Sequence, residues 1–311
     1  MVELPPDRNA PKYIEAVVGI KPRVDDDKDI RIRELIRNIF VREAWAEEAF
    51  ANIRSEQIAY LRDMVHSVGD PAYVDRATQE ILRKIGGELR ATVEEGEEHL
   101  APLRGKPVLV TTNHLGTYKL ASINPQVELG DDVPNYDGYD FMYPYPLYFA
   151  ALSPVAEALG NALSYASIDY PGIFGQIHTA AGFIHIPPAS QVSGGRTESL
   201  KQQTDELIKK RPHTALVNFP GGGTGGKYNE AGPYDLREFR TGGYVIAAEL
   251  RLPILAVAQY FDPLIGMRLK VFEPFYPQPG TIEDYKRLAS ETQAEIQDWL
   301  KQKEQAQGFV T

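Results

Sequence analysis

A histidine set just past one strand-like run, and a glycine-rich string set just past another, are the places where this chain of 311 residues could do chemistry. The first string is Thr111-Thr112-Asn113-His114-Leu115-Gly116-Thr117-Tyr118-Lys119. At the carboxyl end of a parallel strand, where α/β folds place their ligands, an imidazole can take the proton of a bound hydroxyl or amine. The second is Asn218-Phe219-Pro220-Gly221-Gly222-Gly223-Thr224-Gly225-Gly226-Lys227. Its glycines let the backbone approach a ligand closely and aim amide N–H groups at an anion or a developing oxyanion. Each string also has a plain reading: one of six histidines in a core or surface role, and a flexible loop with no ligand.

Gly221 to Lys227 also satisfies G-x-x-x-x-G-K, the pattern of a nucleotide-binding P-loop. Two features disfavour it. Tyr228 stands where Ser or Thr would hold the metal, and the stretch from Asn229 to Pro233, containing Gly232, is not the helix whose N-terminus completes such a site.

Read in order, the two strings resemble the superfamily that acylates glycerol-3-phosphate and lysophosphatidate. Its N-H-x-x-x-x-D motif is similar to Asn113-His114, with Lys119 where Asp belongs. Its F-P-E-G-T-R-S motif is similar to Phe219-Pro220 and Gly223-Thr224, with Gly222 in the Glu position after a one-residue insertion and Gly225 in the Arg position. The stretches Phe239-Arg240-Thr241-Gly242-Gly243 and Leu252-Pro253-Ile254-Leu255-Ala256-Val257 resemble the family's chain downstream of that motif, so the likeness runs from about Leu103 to Pro274. The family's middle, phosphate-binding Arg would fall near Phe183–Pro188, where prolines stand; Arg196 is a loose substitute.

The resemblance implies an acyl thioester, of acyl carrier protein or coenzyme A, as donor, and no cofactor beyond it. It implies a catalytic role for His114 and substrate contacts from Asn113, Thr117, Tyr118, Gly221, Gly222, Gly223, Thr224 and Arg240, and Lys119, in the position of the family's Asp, is a second catalytic candidate in a repurposed role. The departures carry consequences. A protonated Lys119 cannot accept the hydrogen bond by which the family's Asp orients the imidazole, and its charge would lower the pKa of His114. Without the Glu and Arg of the second motif, the charge-assisted clamp on glycerol phosphate is gone, which disfavours glycerol-3-phosphate and lysophosphatidate as acceptors.

Three readings are compatible with these residues. The favoured one is acyl transfer to another alcohol or amine, on a small molecule or a lipid, with His114 as base. A second keeps the scaffold for hydrolysis, cyclisation or condensation of a thioester, with Lys119 or Tyr118 joining His114. The third is a catalytically silent homologue that binds acyl chains or their carrier.

These residues need a framework to hold them. Val108–Thr112, Gly182–Ile186, Thr214–Phe219 and Pro253–Ala258 read as strands, and helical stretches near 197–210 and 243–250 alternate with them. The expected fold is α/β, a mixed, mostly parallel sheet flanked by helices and acyltransferase-like, over residues 101–311. Residues 1–100 form a helical N-terminal region, with apolar positions such as Phe50, Ile53, Leu61 and Met64 at helical spacing. A break at Gly69-Asp70-Pro71 caps a second helix that runs to about Glu98. The aromatic-rich segment from Asn135 to Tyr148 and the apolar helix after it, near Phe149–Leu159, read as core first and as an acyl-chain wall second.

Composition narrows the partners. A net charge of −10 disfavours a broad nucleic-acid surface, because phosphates are repelled. The absence of cysteine removes disulfides, thiolate metal sites and Cys nucleophiles, and fits a cytoplasmic protein. His178 and His185, seven apart, match no common metal-ligand spacing. No stretch approaches the length of a spanning helix, while peripheral contact through a short amphipathic helix stays open.

Overall fold

A computed structural model describes residues 43–115, 147–168, 172–186, 195–221 and 234–306. Seven strands form one sheet: β1 (Thr92–Glu95), β2 (Val108–Thr112), β3 (Ala162–Ile168), β4 (Ile184–Ile186), β5 (Thr214–Asn218), β6 (Ile254–Asp262) and β7 (Gly266–Val271), in the order β1-β7-β6-β2-β5-β3-β4. The run from β6 through β2, β5 and β3 to β4 is parallel throughout, whereas β7 is antiparallel to β6 and parallel to β1. This is the mixed, mostly parallel sheet that the sequence predicts. The central strands β2, β5 and β6 are buried nearly end to end, as expected where helices cover both faces.

Alternation along β6 shows what covers each face. On one face Phe261 meets Phe50 and Trp45 of α1 (Ala44–Ser67) at ring-centroid distances of 6.0 and 5.9 Å. On the other, Tyr260 stacks against Tyr234 at 4.6 Å, and Gln297 of α8 (Ile282–Ala306) donates to the Tyr234 carbonyl. α2 (Pro71–Glu88) packs beside α1, and its start is as expected: Asp70 accepts the Tyr73 N–H at 3.0 Å, with Pro71 at the first turn. That cap contributes about 1 kcal/mol. One hydrophobic core runs without interruption from Ala46 to Leu300, so α1 and α2 share the core of the sheet.

Several elements differ from the sequence reading. α2 ends at Glu88, and the charged stretch after it supplies β1, whose residues are mostly exposed on the sheet edge and so show no apolar alternation. The helix expected near 149–159 is two short ones, α3 (Leu147–Ala150) and α4 (Ser153–Leu159), the second restarted by Pro154 in its first turn. Phe149 of α3 is fully buried against Tyr165 and Phe183, a core position. Most of the aromatic segment before it lies outside the described residues. The remaining helices are α5 (Gly172–Ala180), α6 (Arg196–Lys210) and α7 (Gly242–Leu250). Among the described residues no helix is long and apolar enough to cross a membrane.

Candidate active site

Neighbouring parallel strands bring the two motifs to one sheet edge. β2 and β5 pair with Thr111 opposite Asn218, so His114 and Gly221 each follow that pair by three residues on the same edge. The half-buried His114 ring lies edge-on to Phe219, with centroids 5.4 Å apart and planes at 78°. An aromatic edge against an aromatic face is a favoured arrangement, and it limits how the imidazole can swing.

The turn that opens the glycine-rich string is tied down at both ends. The buried Pro220 accepts a backbone hydrogen bond from Arg240 at 3.0 Å, which fastens the approach to α7 against the turn. Downstream, the Tyr234 hydroxyl donates to the Phe261 carbonyl at 3.0 Å and accepts from the Phe261 N–H at 3.1 Å, pinning the chain after the string to the end of β6. Burial pushes the Tyr234 hydroxyl far above its ordinary pKa, and that of Tyr244 on α7 likewise, so both stay protonated near neutral pH. Gly243 at the start of α7 packs closely on β5: a Cβ there would lie 2.3 Å from Asn218 Nδ2, so that side chain would have to shift to admit one. On the outer side Lys201 of α6 bridges Glu198 at 2.7 Å and Glu249 of α7 at 2.8 Å, and these two carboxylates raise its pKa to about 12.

Asn113 has a different place from the ligand contact expected of it. It is 3% exposed, and both ends of its carboxamide are engaged by the main chain of Gln259: Nδ2 donates to the Gln259 carbonyl at 3.0 Å, and Oδ1 accepts its N–H at 2.8 Å. Gln259 replies with its own side chain, donating from Nε2 to Thr112 Oγ1 at 2.9 Å and to the Asn113 carbonyl at 3.4 Å. Reading the sequence passed over Gln259, although a signal was present. A glutamine inside Ile254–Phe261, otherwise apolar apart from a tyrosine hydroxyl, must find partners if the strand is buried.

Of the other expected site residues, Gly221 stands beside the His114 edge, and Arg240 is joined to it through Pro220 with its side chain exposed. Thr117, Tyr118, Lys119, Gly222, Gly223 and Thr224 lie outside the described residues. Arg196 begins α6. His178 is buried among Tyr165 and Phe183, while His185 Nε2 bonds Thr179 Oγ1 at 2.9 Å. Among the described residues there is no cluster of His, Asp or Glu that could hold a metal ion.

The arrangement can therefore present an imidazole and the start of a glycine turn to one space at the carboxyl edge of a parallel sheet. No protein-family profile and no curated protein matches the sequence. Among solved structures, the 1-acyl-sn-glycerophosphate (LPA) acyltransferase PlsC from Thermotoga maritima is similar at 14% identity, over 88% of this chain and 99% of that one, with a TM-score of 0.48. At that identity and TM-score, the functional reading rests on this chain's own residues.

Proposed function

We propose that the protein transfers an acyl group from a thioester, carried by acyl carrier protein or coenzyme A, to an alcohol or amine acceptor other than glycerol-3-phosphate. The observation that carries this reading is the contact of the His114 ring with Phe219, which brings the imidazole to the turn that opens the glycine-rich string. The motif resemblance in that order along the chain agrees with it.

In the proposed reaction His114 takes the proton of the acceptor hydroxyl or amine as the acceptor attacks the thioester carbonyl. A C–O or C–N bond forms, and the oxyanion of the tetrahedral intermediate draws on backbone N–H groups at the turn that begins with Gly221. Collapse breaks the C–S bond, and the thiolate leaves with the proton that the imidazolium returns. Arg240, exposed beside the turn, is available to an anionic part of the donor or acceptor. By the motif resemblance Gly222 and Gly225 stand where the family has Glu and Arg, so the string carries no charged clamp, which suits neutral or bulky acceptors.

The test is incubation with radiolabelled acyl carrier protein or acyl coenzyme A and a panel of alcohols and amines. Labelled ester or amide should form with the wild type and fall by about 10²–10⁴-fold in His114→Ala, the range for a lost general base. Release of free acid or a cyclic product instead would move the assignment to another thioester reaction. Binding without turnover, unchanged in His114→Ala, would remove the enzymatic reading.

A further inference from the structure

The β2–β6 ladder ends at the pair Thr112 and Val257. Beyond it the chain must leave the sheet to carry His114 over the edge, which would strand the N–H and C=O of Gln259 on β6. Asn113 takes up both with its side chain, acting as one more rung of the ladder while its own main chain departs. Gln259 then reaches back to the Thr112 hydroxyl and the Asn113 carbonyl. Each side chain serves the other residue's strand, across 146 positions of sequence.

We propose that Gln259 is a positioning residue for His114, its carboxamide and that of Asn113 together fixing the main chain from which the imidazole projects. This rests on the reading of His114 as the base. Stability alone gives a poor account of the amide. Gln259 is fully buried, and its Oε1 has no hydrogen-bond partner among the described residues, so the group is only partly satisfied. A half-satisfied buried amide is a worse core residue than an apolar side chain of the same length. What the amide does supply is geometry: two contacts on the residues just before His114, with Phe219 against the ring itself. Misplacement of a reacting group by about 1 Å can cost about 10²-fold in rate.

Gln259→Met keeps length and removes every donor. Its kcat should fall by up to about 10²-fold with KM little changed, since the loss falls on orientation and leaves ground-state binding intact. The ¹⁵N and ring-proton resonances of the His114 imidazole should move in the folded variant. A folded Gln259→Met with wild-type kcat and unmoved His114 resonances would overturn the proposal, as would a change in thermal stability alone. Should that variant fail to fold, Thr112→Val removes just the acceptor at 2.9 Å. It should shift the same resonances by less, and unmoved resonances there would equally overturn the proposal. If the wild type transfers no acyl group, the base role of His114 fails, but the resonances still decide whether Gln259 positions the ring.

Discussion

Asn113, expected from its motif to touch substrate, has both ends of its carboxamide engaged by the main chain of Gln259. Its Nδ2 donates to a carbonyl and its Oδ1 accepts an N–H, a pairing that a carboxamide makes and an ionised carboxylate cannot. Asn113→Asp changes one atom, replaces the donor with an acceptor and sets it against the Gln259 carbonyl. The variant should lose about 1–3 kcal/mol at pH 8, the usual cost of leaving a buried polar group unpaired. Burial and the facing carbonyl would raise the carboxyl's folded-state pKa above its unfolded value. Its protonated form can donate, so the deficit should be least at low pH and grow as pH rises through the folded pKa. Urea titrations at pH 5 and pH 8 check this; equal deficits, or none, would contradict the assigned bonds.

The same device recurs among the elements. Gln79 of α2 bonds both the N–H and the carbonyl of Leu163 on β3, and Gln203 of α6 does so for His185 on the edge strand β4. A carboxamide on a covering helix thus stands in for a missing strand neighbour and closes an edge that would otherwise invite pairing with another chain. At the opposite edge a charge does similar work. Glu95 on β1 loses solvation on partial burial, which raises its pKa, but the Trp299 N–H at 2.8 Å and Lys270 at 2.9 Å outweigh that and hold it below its usual 4.5. A depressed carboxyl stabilises above its unfolded pKa and loses that contribution as pH falls through the folded one. Glu95→Gln should therefore melt below the wild type at pH 7, by under about 1 kcal/mol for so solvent-screened a group. The gap should close below pH 4.5. A gap that persists at pH 3 would mean the ion pairs are not its source.

At the scale of the whole molecule, what was legible in the sequence tracks burial. β2, β5 and β6 are covered on both faces and read as continuous β-branched or apolar runs, such as Val108-Leu109-Val110 and Ile254-Leu255-Ala256-Val257. β1 lies at the sheet edge with Thr92, Glu94 and Glu95 exposed, and β3 interleaves Leu163 and Tyr165 with small and polar residues, whereas β7 alternates buried Met267, Leu269 and Val271 with partly exposed Arg268 and Lys270. β7 thus carries the alternation of a half-buried strand in its own residues, while β1 and β3 are fixed by their neighbours rather than by their own pattern. The site divides the same way. His114 and Gly221 were legible because each directly succeeds a readable strand, whereas the clamp on Gln259 depends on a strand pairing that no local pattern contains. The central claim is that this edge of the sheet gathers an imidazole and a glycine turn around one thioester. A crystal structure with a non-hydrolysable acyl-pantetheine analogue tests it most directly. The analogue's carbonyl carbon should lie near His114 with its oxygen turned toward the turn that begins at Gly221; an analogue bound away from that edge, with both elements untouched, would rule the proposed site out.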